Sequence, residues 1–264
     1  MSTQSNTVTF GPTDPESGLA LISLTQREDV FHLVMGGLPD NRFNTTMVDA
    51  LNAALDHVEN YAIPKEKGSR QRACALVTTS ASPKFYSNGL DVMWLFESGD
   101  TWFISDQYLA LLRRILLFPC ITVASINGHC FAGGLLFALC HDYRVLRSDK
   151  GLLSLNEIDL PSSLHPGMAA IARAKLPAST LHPLVFAAKR YGGKEALQAG
   201  LVDHVAPESE LAEVAHKLAM TGAPKVKRAG RIVSELKLSC YPDVVQALDI
   251  RVEIDVRAFM KPKM

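Results

Sequence analysis

Ile126-Asn127-Gly128-His129-Cys130-Phe131-Ala132-Gly133-Gly134 is the stretch on which the fold turns. It ends the apolar run Ile121 to Ile126, bends at the Asn127-Gly128 turn signal and enters a helical pattern from Gly133 to Cys140. A helix that starts at such a turn presents backbone N–H groups with no partner inside the helix. A second glycine-marked turn, Phe85-Tyr86-Ser87-Asn88-Gly89-Leu90-Asp91, follows the apolar run Ala73 to Thr79. Two such amides aimed at one point would stabilise negative charge developing on a carbonyl oxygen. A third segment, Ser154-Leu155-Asn156-Glu157, adds a single carboxylate.

Outward from these turns the chain alternates between two periodicities. Leu19 to Leu24 and Val30 to Met35 read as strands around a turn at Thr25 to Asp29. Met47, Val48, Leu51, Leu55 and Val58 give Thr45 to Glu59 the spacing of an amphipathic helix. Ser105 to Leu117 reads as a helix ending before Pro119, Tyr143 to Arg147 as a strand, and Leu152 to Leu155 as a short one. Strands alternating with helices predict parallel strands joined by right-handed crossovers. Periodicity alone leaves open a doubly wound sheet or a spiral of ββα turns. The remainder reads as helical: Lys194 to Ala199 with a stop at Gly200, then Glu208 to Met220, Lys227 to Leu238 and Pro242 to Phe259. Lys65 to Arg72 reads as a charged loop.

Composition narrows the function classes. With 264 residues, 47% of them hydrophobic, the chain can bury a large core. A formal net charge of zero argues against a nucleic-acid surface, which needs a basic excess. Five irregularly spaced cysteines fit neither a disulfide framework nor a zinc site. No Asp, Glu, Lys or Arg falls between Ile115 and Cys140, a span long enough for a bilayer. Pro119, Asn127-Gly128 and Gly133-Gly134 break it into a buried strand, a turn and a buried helix, so no membrane span is expected. Residues Met1 to Pro15 are polar and lack the apolar core of a signal peptide.

The two turns and the glutamate, in this order, resemble the crotonase (enoyl-CoA hydratase/isomerase) superfamily over about Leu33 to Val205. The resemblance implies an α/β crotonase-type spiral of ββα turns over residues 1–206, followed by a C-terminal helical region, 207–264, used in trimerisation. It implies an acyl-CoA thioester as substrate and a homotrimer or dimer of trimers as the assembly. Coenzyme A is then part of the substrate, with no further cofactor and no metal.

Alignment on Gly89 gives Ser87 the first oxyanion amide, with Asn88, Leu90 and Asp91 around it, and Gly133 the second. Arg42 and Phe43 fall where the family's coenzyme A groove begins. Leu136 stands where the hydratase pattern has a glutamate, three residues after the second oxyanion glycine. Glu157 matches the family's remaining catalytic glutamate. Hydration benefits from two carboxylates that position a water, whereas one base suffices to carry a proton from C2 to C4 of a 3-enoyl thioester. Leu155-Asn156-Glu157, after His141-Asp142-Tyr143-Arg144, further resembles Δ3,Δ2-enoyl-CoA isomerases. The expected activity is therefore conversion of 3-enoyl-CoA to trans-2-enoyl-CoA. A single-glutamate hydratase, a dienoyl-CoA isomerase and a non-catalytic scaffold stay open as alternatives.

Other features carry less. His129, His141 and His165 are too scattered for a metal site, and Gly192-Gly193-Lys194 lacks the rest of a phosphate loop. Pro262-Lys263-Met264 resembles a relaxed peroxisomal Ser-Lys-Leu ending, so a peroxisomal address is expected, with the cytoplasm as the alternative.

Overall fold

The computed structural model describes residues 7–63, 72–160 and 163–253, with the backbone alone at 227–230. The chain opens with β1 (Val8–Thr13), β2 (Ala20–Arg27) and β3 (Val30–Met35), an antiparallel meander. α1 (Thr45–Ala62) follows, capped by Asn44, whose side chain accepts from the Met47 amide at 3.0 Å. Its buried stripe includes Met47, Val48, Leu51, Leu55 and Val58.

Three similar passages come next. The first is β4 (Ala75–Ser80), β5 (Phe85–Ser87), α2 (Val92–Ser98), a π-helical turn at Ile104–Tyr108 and α3 (Leu109–Leu116). The second is β6 (Ile121–Ile126), β7 (His129–Phe131) and α4 (Gly133–Leu139). The third is β8 (Tyr143–Arg147), β9 (Leu153–Ser154), a 3₁₀ turn at Glu157–Asp159 and α5 (Pro166–Lys175). Each passage sends one strand to a seven-stranded sheet, ordered β1-β2-β3-β4-β6-β8-β10, and the next to a three-stranded sheet, β5-β7-β9. From β3 onward the larger sheet is parallel, as is the whole of the smaller one. This is the ββα spiral. The chain then runs through α6 (Ala178–Phe186), α7 (Gly193–Gln198), β10 (His204–Ala206), α8 (Glu208–Cys240) and α9 (Pro242–Leu248).

The C-terminal helices differ from the sequence reading. Glu208 to Met220 and Lys227 to Leu238 form one helix, α8, which passes through Pro224. A proline inside a helix costs about 3 kcal/mol. Here Leu211, Ala215, Ala219, Ala223 and Val226 form a buried i, i+3/i+4 stripe that continues past the break. The first four pack with Val77, Val123 and Val145 of the larger sheet, and that burial outweighs the lost hydrogen bond. The third predicted helix is shorter, ending at Leu248, and residues 254–259 lie outside the described residues. So do residues 65–71 of the charged loop and the C-terminal tripeptide. β1, placed in a stretch read only as polar, is largely exposed at the sheet edge, so it carries little of the apolar alternation that marks a strand. No helix among the described residues is long and apolar enough to cross a membrane.

Candidate active site

The three motifs meet because their strands are neighbours. β5, β7 and β9 lie side by side in parallel, so their C-terminal ends emerge at one edge, about 4.8 Å apart from strand to strand. Beyond β5 come Asn88 to Asp91, beyond β7 comes Gly133, and beyond β9 comes Glu157. The Ala132 amide donates to Ser154 O at 2.9 Å, fastening the second turn to the strand that leads to the glutamate.

Hydrogen bonding sorts the amides of the first turn. Asn88 N–H goes to Asp40 O (2.9 Å), Gly89 N–H to Ser87 Oγ (3.2 Å) and Asp91 N–H to Phe43 O (2.9 Å). Ser87 stands opposite Cys130 in the β5–β7 ladder. Because Cys130 N–H donates to Leu152 O, the ladder bonds at this register fall to the Ser87 amide and carbonyl. The Ser87 amide expected from the glycine alignment is therefore engaged in the sheet, and its hydroxyl donates to Asn41 O at 2.7 Å. Leu90 N–H has no acceptor among the described residues.

Leu90 N–H lies beside the second amide. A Cβ built on Gly133 would fall 3.4 Å from Leu90 N, and one on Gly89 would fall 3.1 Å from Gly133 N. Gly133 opens α4, so its own N–H has no intrahelical partner, and the helix dipole adds positive potential there. The residue before it, Ala132, has φ +47° and ψ −122°, a conformation costly for a residue with a Cβ. That strained peptide sets the direction of the Gly133 N–H.

Glu157 begins the 3₁₀ turn. Burial raises its carboxyl from the ordinary glutamate range to about 7, and Oε2 is buried without a hydrogen-bond partner. A carboxyl in this state can hold or release a proton near neutral pH.

The other predicted residues separate into supports and bystanders. Asp91 caps α2, accepting from Trp94 N (3.1 Å) and from Asn44 Nδ2 (3.2 Å), so it braces the first turn. Arg42 is half-buried and paired with Asp40 at 2.7 Å, and Asp40 also receives Asn88 Nδ2 at 3.2 Å. Phe43 is fully buried, its ring 5.3 Å from those of both Tyr108 and Phe137. The expected substrate contact of that ring gives way to a core role, while the Phe43 backbone holds the turn. Leu136 is fully buried on α4. His129 accepts from Leu152 N, and His165 caps α5. His141, fully buried, bonds Phe137 O and Thr78 Oγ1 at 2.9 Å each. No group of three metal-ligating side chains occurs among the described residues.

A sequence profile of the enoyl-CoA hydratase/isomerase family matches residues 26–262. The chain belongs to this family. Among relatives, the Arabidopsis thaliana protein named enoyl-CoA delta isomerase 2, peroxisomal, is 28% identical over 92% of this chain and 100% of its own length. Enoyl-CoA delta isomerase 3 of the same plant is 29% identical over 87% of this chain and 96% of its own. In three dimensions, human mitochondrial delta3-delta2-enoyl-CoA isomerase matches with a TM-score of 0.76 at 22% identity, covering 90% of each chain. An enoyl-CoA hydratase from Mycobacterium marinum matches equally well, at 0.76 and 20% identity, covering 91% of this chain and 98% of its own. Because members named for both reactions share the fold, the family's architecture does not choose between them; the side chains must.

Proposed function

We propose that the protein is a Δ3,Δ2-enoyl-CoA isomerase that uses Glu157 as its only proton carrier. One observation carries the reading: a single carboxylate, held near neutral pKa by burial, follows the same sheet edge as two amides without acceptors. The amides are those of Leu90 and Gly133, in place of the Ser87 and Gly133 pair that alignment suggests.

The reaction then balances without water, metal or separate cofactor. The Glu157 carboxylate takes a proton from C2 of the 3-enoyl thioester. The C–H electron pair becomes the C1–C2 double bond, and the carbonyl π pair moves onto oxygen, giving a dienolate. Leu90 N–H and Gly133 N–H hold that oxyanion, charge the ground-state carbonyl lacks. On collapse the C1=O bond reforms, the double bond settles between C2 and C3, and C4 takes the proton back from Glu157. Leu136, fully buried and apolar, supplies no second carboxylate to activate a water, which favours isomerisation over hydration.

Relatives named peroxisomal support the same address for this chain. Exposed Ile232 and Leu236, one turn apart on α8, support assembly as a homotrimer or dimer of trimers through that helix. The test of the chemistry is Glu157→Gln, which keeps the shape and removes the base. Turnover of 3-hexenoyl-CoA should fall by roughly 10²–10⁴-fold with ester binding retained. Near-normal turnover would place the base elsewhere.

A further inference from the structure

One buried tyrosine joins the two turns of this site. Tyr108 ends the π-helical turn Ile104–Tyr108 and is fully buried. Its hydroxyl donates to Gly133 O at 2.5 Å and would lie 3.0 Å from a Cβ built on that glycine. Its ring rests against Phe43, whose backbone grips the first turn on either side of Leu90, through Phe43 N–H to Gly89 O (2.8 Å) and Asp91 N–H to Phe43 O (2.9 Å). We propose that Tyr108 is a positioning residue of the isomerisation: its hydroxyl fixes Gly133 so that the Gly133 and Leu90 amides converge on one oxygen. This rests on the isomerase reading above.

The physical need comes from Gly133 itself. Its N–H belongs to the Ala132–Gly133 peptide, whose carbonyl accepts from Leu135 and Leu136 N–H at 3.0 and 3.1 Å. Glycine has no side chain to anchor this first turn, so the aim of the amide depends on how the flanking peptides seat it. The preceding peptide is pinned by Ala132 N–H to Ser154 O, and the following one by the Tyr108 hydroxyl on Gly133 O. A π-helical turn inserts an extra residue into the helical repeat and re-aims the side chains around it, and such turns recur at functional sites. Burial pushes the phenol well above its ordinary pKa, so it stays a donor wherever Glu157 titrates. Packing alone would require the ring but not the hydroxyl.

The test compares the full-length protein with Tyr108→Phe, using butyryl-CoA labelled with ¹³C at the thioester carbonyl. This saturated ester cannot isomerise, so isotope-edited infrared spectroscopy reports only how strongly the amides polarise its carbonyl. The proposal expects the bound wild-type band to lie below that of the free ester and the Tyr108→Phe band to move back toward it. In parallel, kcat on 3-hexenoyl-CoA should fall about 10-fold or more, part of the loss expected for a missing oxyanion donor, with KM nearly unchanged. An unshifted band in Tyr108→Phe, whether or not kcat falls, overturns the positioning role and leaves the isomerase reading intact. An unshifted wild-type band would instead sink the two-amide reading, and the proposal with it. Should Tyr108→Phe fail to fold, 3-fluorotyrosine at position 108 gives a stronger donor of nearly the same shape. It should lower the band further, and an unmoved band overturns the proposal.

Discussion

The amide nitrogen of Gly133 lies 3.1 Å from the point where a Cβ on Gly89 would stand, so these two glycines bring the two turns into contact. Gly89 also has φ +86°, in the region glycine enters freely and L-residues avoid. Gly89→Ala should therefore strain the first turn and push the amides apart together. Loss of one aligned donor would lower kcat by roughly 10²–10³-fold. Steady-state kinetics beside a thermal melt check this: a folded Gly89→Ala protein with normal kcat would show that the contact is dispensable.

Much of this site was legible because its signals are local. Apolar runs ending at glycine turns gave β4, β6 and the start of α4, and Glu157 followed them in the third segment. The identity of the first amide was not legible, because it depends on pairing between distant segments. Ser87 loses its N–H to a ladder with β7, and Leu90 keeps its own free because Phe43 bonds the residues on either side of it. Alignment on a glycine cannot see either bond. Tyr108 was hidden for the same reason, as it reads as one apolar position in a helix until the π turn places its hydroxyl on Gly133. Pro224 misled in the opposite direction: it is a strong local breaker, overridden by a buried stripe that shows only when α8 is seen against the sheet.

The pH dependence follows from Glu157. As a base it must be ionised, and its carboxyl titrates at about 7, so kcat/KM should rise with pH through that value and level off above it. A profile whose acid limb lies near the ordinary glutamate range, about 4.3, would deny the burial that defines the site. Stability carries the opposite sign. A carboxyl whose folded pKa exceeds its unfolded value favours folding at low pH, and that contribution is lost as pH rises through about 7. Glu157→Gln should therefore melt higher than wild type at pH 8, with the gain shrinking at pH 5.

Two histidines set the acid limit of the fold. Burial lowers His141 to about 3, and burial with the neighbouring His216 lowers His32 to about 4. Below the ordinary value of about 6.5 the unfolded chain takes up protons that these groups refuse when folded, so stability falls as pH drops from about 6.5 toward 4. His32 Nε2 lies 3.0 Å from His216 Nδ1, and His216 Nε2 lies 2.9 Å from Glu28, with Arg27 and Glu213 alongside. His32→Gln keeps a donor for His216 but cannot titrate. Its melting temperature should decline less steeply with acid than that of wild type; parallel curves would show that His32 does not set the slope.

One glutamate, beyond the same sheet edge as two free amides, is expected to move a double bond without adding water. The most direct measurement offers the purified protein 3-hexenoyl-CoA and trans-2-hexenoyl-CoA separately and identifies the products by chromatography and mass. An isomerase gives trans-2-hexenoyl-CoA from the first, of unchanged mass, and almost no 3-hydroxyhexanoyl-CoA from the second. Rapid hydration of trans-2-hexenoyl-CoA, with gain of one water, would contradict the isomerase reading.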